Sequence, residues 1–367
     1  MNRPRKKNDT AAGSDTSPRL AARREGFRPA EYLIFALLTF IAFLICCALG
    51  SANVPLGRTA AIVWGAIRAK FAGNPLPAGT QEAIILMVRL PRVMSTALVG
   101  AALSVCGAAM QGLLKNPLAD GSTLGVSSGA SLGAVIAIAF GVTVPGLPFA
   151  GTMGMAIVFA FGSLMIILAL AYKLDYSLST NTIILIGVIF SMFAASVISL
   201  VMTFAGENVK HIAFWTMGSL SGSTYTNVLI LRAALAVCGG IVALSARELN
   251  AFAIGEENAR HIGVNVRRVK LTLMISVSVM IGVCVSVGGT IGFVGLVTPH
   301  MLRMIVGPNH KRLIPASVFG GAVFLMLADL TSRILLNPLE LPIGVVTSFI
   351  GAILFVYIFY RSRRGKG

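Results

Sequence analysis

Charge is what this sequence has least of. Asp, Glu, Lys and Arg make up 12% of its 367 residues, and only 13 residues are acidic. A soluble domain carries about 25% charged residues, so a soluble globular chain is excluded, and no long hydrophilic stretch leaves room for a second, soluble domain. Histidine is scarce too: His211, His261, His300 and His310 show no metal-ligand spacing. The five cysteines (Cys46, Cys47, Cys106, Cys238 and Cys284) fall in or beside apolar runs. They suggest neither a disulfide framework nor a metal site and read as small packing residues. A Gly-x-x-x-x-Gly-Lys-Ser/Thr phosphate cradle is missing, so the chain itself is not expected to hydrolyse nucleotide. With no convergent acid, nucleophile or metal cluster, a membrane-embedded enzyme lacks its machinery. We expect no catalytic residue, no metal and no cofactor bound by this chain.

What remains is apolar. Hydrophobic residues make up 56% of the chain and the mean hydropathy is +0.85, which reads as an all-α, multi-pass membrane protein. The net charge of +17 gathers at a few places. Arg3, Arg5, Lys6, Lys7, Arg19, Arg23, Arg24 and Arg28 precede the first span, and Arg361, Arg363, Arg364 and Lys366 follow the last. Positive charge near span ends marks the cytoplasmic side, so both termini are expected there, with an even number of crossings of the cytoplasmic membrane. The same charge suits anionic lipid, not nucleic acid. Residues 1–30 read as a disordered basic tail, 31–361 as a single membrane domain and 362–367 as a second basic tail. The first apolar run is long, and no small-residue cleavage site convincingly follows it, so it reads as a retained span.

A span needs about 20 apolar residues, and hydropathy gives about ten crossings. They run near Tyr32–Leu49, Arg92–Leu114, Leu124–Val142, Phe149–Tyr172, Thr182–Phe204, Val228–Leu244, Lys270–Val287, Leu313–Leu336 and Ile343–Tyr360, with a bent half-helix at Gly289–Leu302. Of two outer segments, Ser51–Gln81 is expected to carry a surface helix around Ile62 to Phe71, and Ala205–Tyr225, amphiphilic and with Trp215, to lie at the interface. NPLAD and VTPHM read as paired Pro-containing turns, a faint echo between two halves of the kind that flanks a substrate path.

Several motifs carry more than hydropathy. In RLPR, Arg89 and Arg92 stand at an outer span mouth, where snorkelling anchors and docking of a partner's acidic side chains are both open. Asp329 lies deep in a span with Arg333 at i+4; a mid-bilayer charge costs about 2.5–3.5 kcal/mol unpaired, so an internal ion pair is expected. The inner loop at 245–269 reads as two short helices broken at Gly255. Glu256 and Arg260 form an i,i+4 pair there, and Ala253, Ile254, Ala259 and Ile262 form a small apolar face suited to a cytoplasmic socket. The run GVSSGASLGA, Gly125 to Ala134, is a close-packing helix face.

In order along the chain stand RLPR, NPLA with LGVSSGASLGA, AIGEENARHIGV, GFVGLVTPH and ELPIGVVTSFIGA. This ordered set resembles the FecCD family, the permease subunits of binding-protein-dependent ABC importers for iron chelates, haem and cobalamin. The resemblance covers Arg89 to Tyr360. It implies a ten-helix, type II ABC importer permease, paired as a homodimer or with a close relative. Two cytoplasmic ATPase subunits, which use the ATP, and an extracytoplasmic substrate-binding protein would complete the importer. By the same resemblance Arg89, Arg92 and Arg333 meet the binding protein. Ala253, Ile254, Gly255, Glu256, Ala259, Arg260 and Gly263 belong to the coupling helices. Asn116, Leu118, Ser179, Thr180 and Asn181 form the cytoplasmic gate, and the fifth span lines the pathway. Siderophore-bound iron is the expected cargo. The competing class is an ion-coupled secondary transporter built on Asp329.

Overall fold

The computed structural model describes residues 26–50, 54–72, 79–121, 124–145, 150–176 and 179–364. Most of the basic N-terminal tail and the last three residues therefore lie outside the described residues. The described chain is helical; an isolated bridge joins Leu336 to Leu339, and there is no sheet among the described residues.

In chain order the helices are α1 (Pro29–Ala48), α2 (Leu56–Ala72), α3 (Thr80–Leu113), α4 (Val126–Ala139), α5 (Ala150–Leu174), α6 (Thr180–Phe204) and α7 (Val209–Thr216). Then follow α8 (Tyr225–Leu244), α9 (Ala246–Ala253), α10 (Glu256–His261), α11 (Val266–Gly288), α12 (Val294–Val306), α13 (His310–Ile334) and α14 (Ile343–Arg364). By length and composition seven of these can cross a membrane: α1, α3, α5, α6, α8, α11 and α13. Shorter apolar helices are α4, α12 and the Ile343–Ile358 part of α14. Each span expected from hydropathy falls on one of these ten. The segments at 51–81 and 205–225 carry the helices α2 and α7.

Helices α3, α11 and α13 form the centre, where most of each apolar stretch is buried, whereas α1, α5, α6 and α8 keep apolar faces exposed. Small residues make that centre possible. A methyl on Gly100 would run into the carbonyl oxygen of Gly321, and one on Gly107 into that of Gly295, so α3 meets α13 and α12 backbone to backbone. The α4 face packs on α5 in the same way, at Gly129 against Ser163 and Gly133 against Met155.

Helix α3 begins twelve residues before Arg92, the start read from hydropathy. Its turn Ile84–Arg89 is widened to π geometry, beside Pro91, which has no N–H to give Met87. A widened turn displaces carbonyls, and the Tyr225 hydroxyl donates to Leu86 O at 2.5 Å.

The break between α11 and α12 is real, but VTPHM is not a turn. Pro299 lies inside α12. It cannot donate to Gly295 O, and Gln111 Nε2 donates there instead, at 3.3 Å, and to Leu296 O at 3.0 Å. The expected echo with NPLAD is corrected accordingly. Upstream, Gly289 and Phe293 have positive φ, and the open stretch between them is covered by residues 215–219. Ser219 N donates to Gly288 O at 2.9 Å, and Thr290 Oγ1 donates to Thr216 O. Irregular backbone at membrane depth survives where protein satisfies it in this way.

Candidate functional site

Two polar assemblies sit at opposite ends of α3, whose Leu90–Leu113 stretch is about 36 Å long at 1.5 Å per residue. At the first end, Asp329 is 1% exposed and held between two arginines. Arg92 Nε lies 3.0 Å from Oδ1 and Arg333 Nε 3.0 Å from Oδ2. Arg92 Nη1 continues to Glu340 Oε2 at 2.8 Å. Donors of Arg333 and Arg89 go to the end of α1. Arg333 reaches Leu49 O and Cys46 O, each at 3.0 Å, and Arg89 reaches Cys47 O at 3.1 Å and Ala48 O at 2.7 Å. A helix C-terminus carries unpaired carbonyls and partial negative charge, so guanidinium groups satisfy both. Gly50 leaves room for Arg89 and Arg333 to meet there.

The expected Asp329–Arg333 pair is present. Arg89 and Arg92 of RLPR are 5% and 7% exposed, and Arg333 is 4% exposed. Three cations at one end draw in the carboxylates and carbonyls that lie nearest, and those belong to this chain.

At the other end the loop after α8 folds as two helices, α9 and α10, around Gly255, whose φ of 125° suits glycine alone. Ala259 is buried against the bundle, while Ile254 and Ile262 are 64% and 65% exposed. The apolar face read from the sequence is therefore split. Ala259 roots the loop, and Ala253, Ile254 and Ile262 point away from it. The expected Glu256–Arg260 pair does not form; Glu256 Oε1 takes Lys270 Nζ of α11 at 2.7 Å, because Lys270 is 1% exposed and a buried ammonium needs a carboxylate. On the α9 side, Asn250 Oδ1 accepts His310 N at 2.8 Å and contacts His310 Nδ1 at 2.9 Å, while Asn250 Nδ2 donates to Asn309 Oδ1 at 2.8 Å. The loop is pinned to α11 and α13.

The expected gate residues lie at this end too. Ser179 caps α6, accepting from Thr182 N at 3.4 Å, and its own N–H donates to Asp175 at 3.1 Å. Ser179, Thr180 and Asn181 border a cavity of about 350 Å³ with Leu114, Lys115 and Glu256, and Thr180 Oγ1 donates to Glu256 Oε1 at 3.4 Å. Asn116 turns the chain after α3, its Oδ1 accepting from Leu118 N at 2.9 Å, and leaves Leu118 exposed. Asn116 and Leu118 do not border this cavity; their neighbour Lys115 does.

Between the ends run hydroxyl-rich surfaces. A cavity of about 350 Å³ is bordered by Asp120, Ser127, Ser131, Ser191 and the open backbone at Thr290. A larger one, about 680 Å³, is bordered by His211, Trp215, Asn227, Glu340 and Pro342. Along α6, Ser196, Ser199 and Thr203 are exposed, and each donates to the carbonyl four residues back. Among the described residues the five cysteines are buried and unpaired. Reasoning from sequence missed Lys270, Glu340, Gln111 and Asn250. Lys270 offered one signal, a cation at the threshold of an apolar run. The His300 ring lies tilted beside that of Phe355, with ring centroids 6.4 Å apart, and its buried Nδ1 has no hydrogen bond.

Residues 38–361 match the model of the FecCD transport family. The chain is 39% identical over 338 residues to an uncharacterized ABC transporter permease protein, YvrB, of Bacillus subtilis, covering 92% of this chain and 95% of that one. It is 37% identical over 298 residues to the cobalamin import system permease protein BtuC of Halobacterium salinarum, covering 80% and 79%. A solved inward-facing structure assigned to a metal-chelate type ABC transporter superposes with a TM-score of 0.79 at 29% identity, covering 91% of this chain and 100% of that one.

Proposed function

The chain belongs to the FecCD transport family and is a permease subunit of an ABC importer of the metal-chelate, cobalamin and haem type; from that premise we propose that its cargo is siderophore-bound iron, with haem and cobalamin as the nearest alternatives. The observation that carries the mechanism is the loop of α9 and α10. Its root is pinned by Glu256–Lys270 and Asn250–His310, and its tip presents Ile254 and Ile262 to the outside. A rigid root with an apolar tip is the form of an element that enters a socket on another protein. We assign that socket to an ATPase subunit on the cytoplasmic side. Closure of two such subunits would push the loop, and the gate residues Ser179, Thr180 and Asn181 lie at its foot.

The pathway reading rests on chemistry. Ser196, Ser199 and Thr203 satisfy their own protons within α6, so they would give a pathway a polar wall without strong ligands. A chelate that brings its own metal ligands needs a wall it can leave. Two copies of this chain, or this chain and a relative, would set their α6 faces around the path.

Docking of a binding protein belongs to the opposite end. Arg89, Arg92 and Arg333 are engaged internally there, so a partner's carboxylates would reach them by displacing Glu340 or the α1 carbonyls. An ion-coupled carrier built on Asp329 is disfavoured, since that buried carboxylate is already paired with two arginines of the same chain. The test is uptake into vesicles containing this chain, an ATPase and a binding protein, with ferric siderophore, haem and cobalamin offered separately. ATP-dependent accumulation of ferric siderophore alone is expected. Accumulation of another cargo removes the iron assignment, and accumulation driven by an ion gradient without ATP removes the importer assignment.

A further inference from the structure

Helix α2 shows three sides, each of a different chemistry. One side packs on α1 and on the π turn of α3: Ile62 is 6% exposed and clusters with Ile85 and Leu86, with Val63 and Ala66 partly buried beside them. At about 3.6 residues per turn, Thr59, Ile62 and Ala66 share that side. A second side carries Leu56, Ala60, Trp64, Ile67 and Phe71, spaced by four, four, three and four residues, and all of them are exposed. Exposure reaches 59% at Trp64 and 91% at Phe71. The third side carries Arg58 and Arg68, both exposed. Arg58 reaches Glu82 at 3.9 Å, and the Arg68 guanidinium lies 5.8 Å from the centre of the Trp64 ring. Such a helix suits a boundary where protein, hydrocarbon and water meet.

We propose that α2 lies in the boundary between lipid headgroups and acyl chains at the Asp329 end of the bundle, with Leu56, Trp64, Ile67 and Phe71 sunk among the chains and Arg68 at the phosphates. Two observations name lipid as the occupant. The first is continuity: α1, on which α2 packs, is a span that keeps Leu33, Leu37, Phe40, Ile41 and Leu49 exposed. It packs on α3 and α13, whereas α6 packs on α4 and α5. A second permease copy set against α6 therefore leaves α1 and α2 to the bilayer. The second is charge. The arginines flank the apolar stripe without interrupting it, which matches a layer of phosphates above hydrocarbon, and a tryptophan beside a cation favours that same level. Because α2 also grips the π turn, its depth sets how far the Asp329 end stands from the bilayer midplane. Only membrane placement of the chain is needed for this, not its cargo or its energy source.

The chain holds two tryptophans, so Trp215→Phe leaves Trp64 as the reporter. The full-length Trp215→Phe chain is placed in phospholipid vesicles. Quenching by lipid brominated on the upper acyl chain is compared with quenching by iodide, present on both sides of the bilayer. Bromolipid is expected to remove about half or more of the emission and iodide less than about a tenth, as for a face about 5–10 Å inside the boundary. Should Trp215→Phe fail to fold, the emission of the native chain minus that of Trp64→Phe gives the same reading. Strong quenching by iodide with little by bromolipid overturns the proposal; if a binding protein then removes the iodide access, that partner is the occupant. Resistance to both quenchers overturns it too and assigns the stripe to a second copy of the chain. Neither failure touches the importer reading, and absence of ATP-driven uptake would leave the bromolipid result standing.

Discussion

Asp329 shows how far a single residue can be reasoned out. Its burial between Arg92 and Arg333 makes it the hub of the first polar end. Removing one partner of a buried pair costs about 3–5 kcal/mol, because the other charge is stranded. Asp329→Asn is therefore expected to lower the stability of the detergent-solubilised chain by about that much, seen as a clear drop in thermal midpoint. An unchanged midpoint would mean that Glu340 suffices for Arg92 and the α1 carbonyls suffice for Arg333. Of this network, Asp329 with Arg333 was legible in the sequence, since i and i+4 share a helical face. Arg92 with Asp329 joins residues 237 apart, and Glu256 with Lys270 crosses a turn, so no local spacing announces either. The same gap covers Arg89 and Arg92: position at a span end says a cation is near the surface, but not which carbonyls fold over it.

At the scale of the helix, hydropathy located every apolar element, because about 20 apolar residues in a row have few other uses. It did not locate the exceptions to regular helix. The π turn at Ile84–Arg89 depends on Tyr225 from α8. The uninterrupted run of α12 through Pro299 depends on Gln111 from α3. In each case a distant donor replaces a lost local bond, so the outcome is tertiary. Small residues were legible as close-packing faces but not in their pairings. Gly107 faces the carbonyl of Gly295 at the break where α12 begins, and backbone cannot retreat as a side chain does. Gly107→Ala is expected to cost about 1–3 kcal/mol by overpacking and to loosen the α3–α12 contact. Gly154→Ala, with open space around it, is the control. Equal thermal midpoints for the two variants would show that α12 shifts freely.

For the whole molecule the open question is which exposed apolar face meets lipid and which meets water. Lipid tolerates serine on a helix when the hydroxyl bonds the carbonyl four residues back, so Ser196, Ser199 and Thr203 alone do not decide it. Their alignment does more: positions 192, 196, 199 and 203 fall on one stripe of α6, whereas Leu200 and Phe193 flank it. If that stripe walls the pathway between two permease subunits, water reaches it in the assembled importer. Because the native cysteines among the described residues are buried, a cysteine introduced at an exposed position stands out against them. Ser199→Cys is expected to react with a charged, water-soluble thiol reagent, and Leu200→Cys to stay unreactive, since a thiolate forms only where water or a cation stabilises it. Binding of the cargo-loaded partner should slow the reaction at Ser199→Cys. Equal reactivity at the two positions, or reaction at Leu200→Cys alone, would move the pathway off α6 and leave the two internal cavities, beside Asp120 and beside Glu340, as the places to look for it.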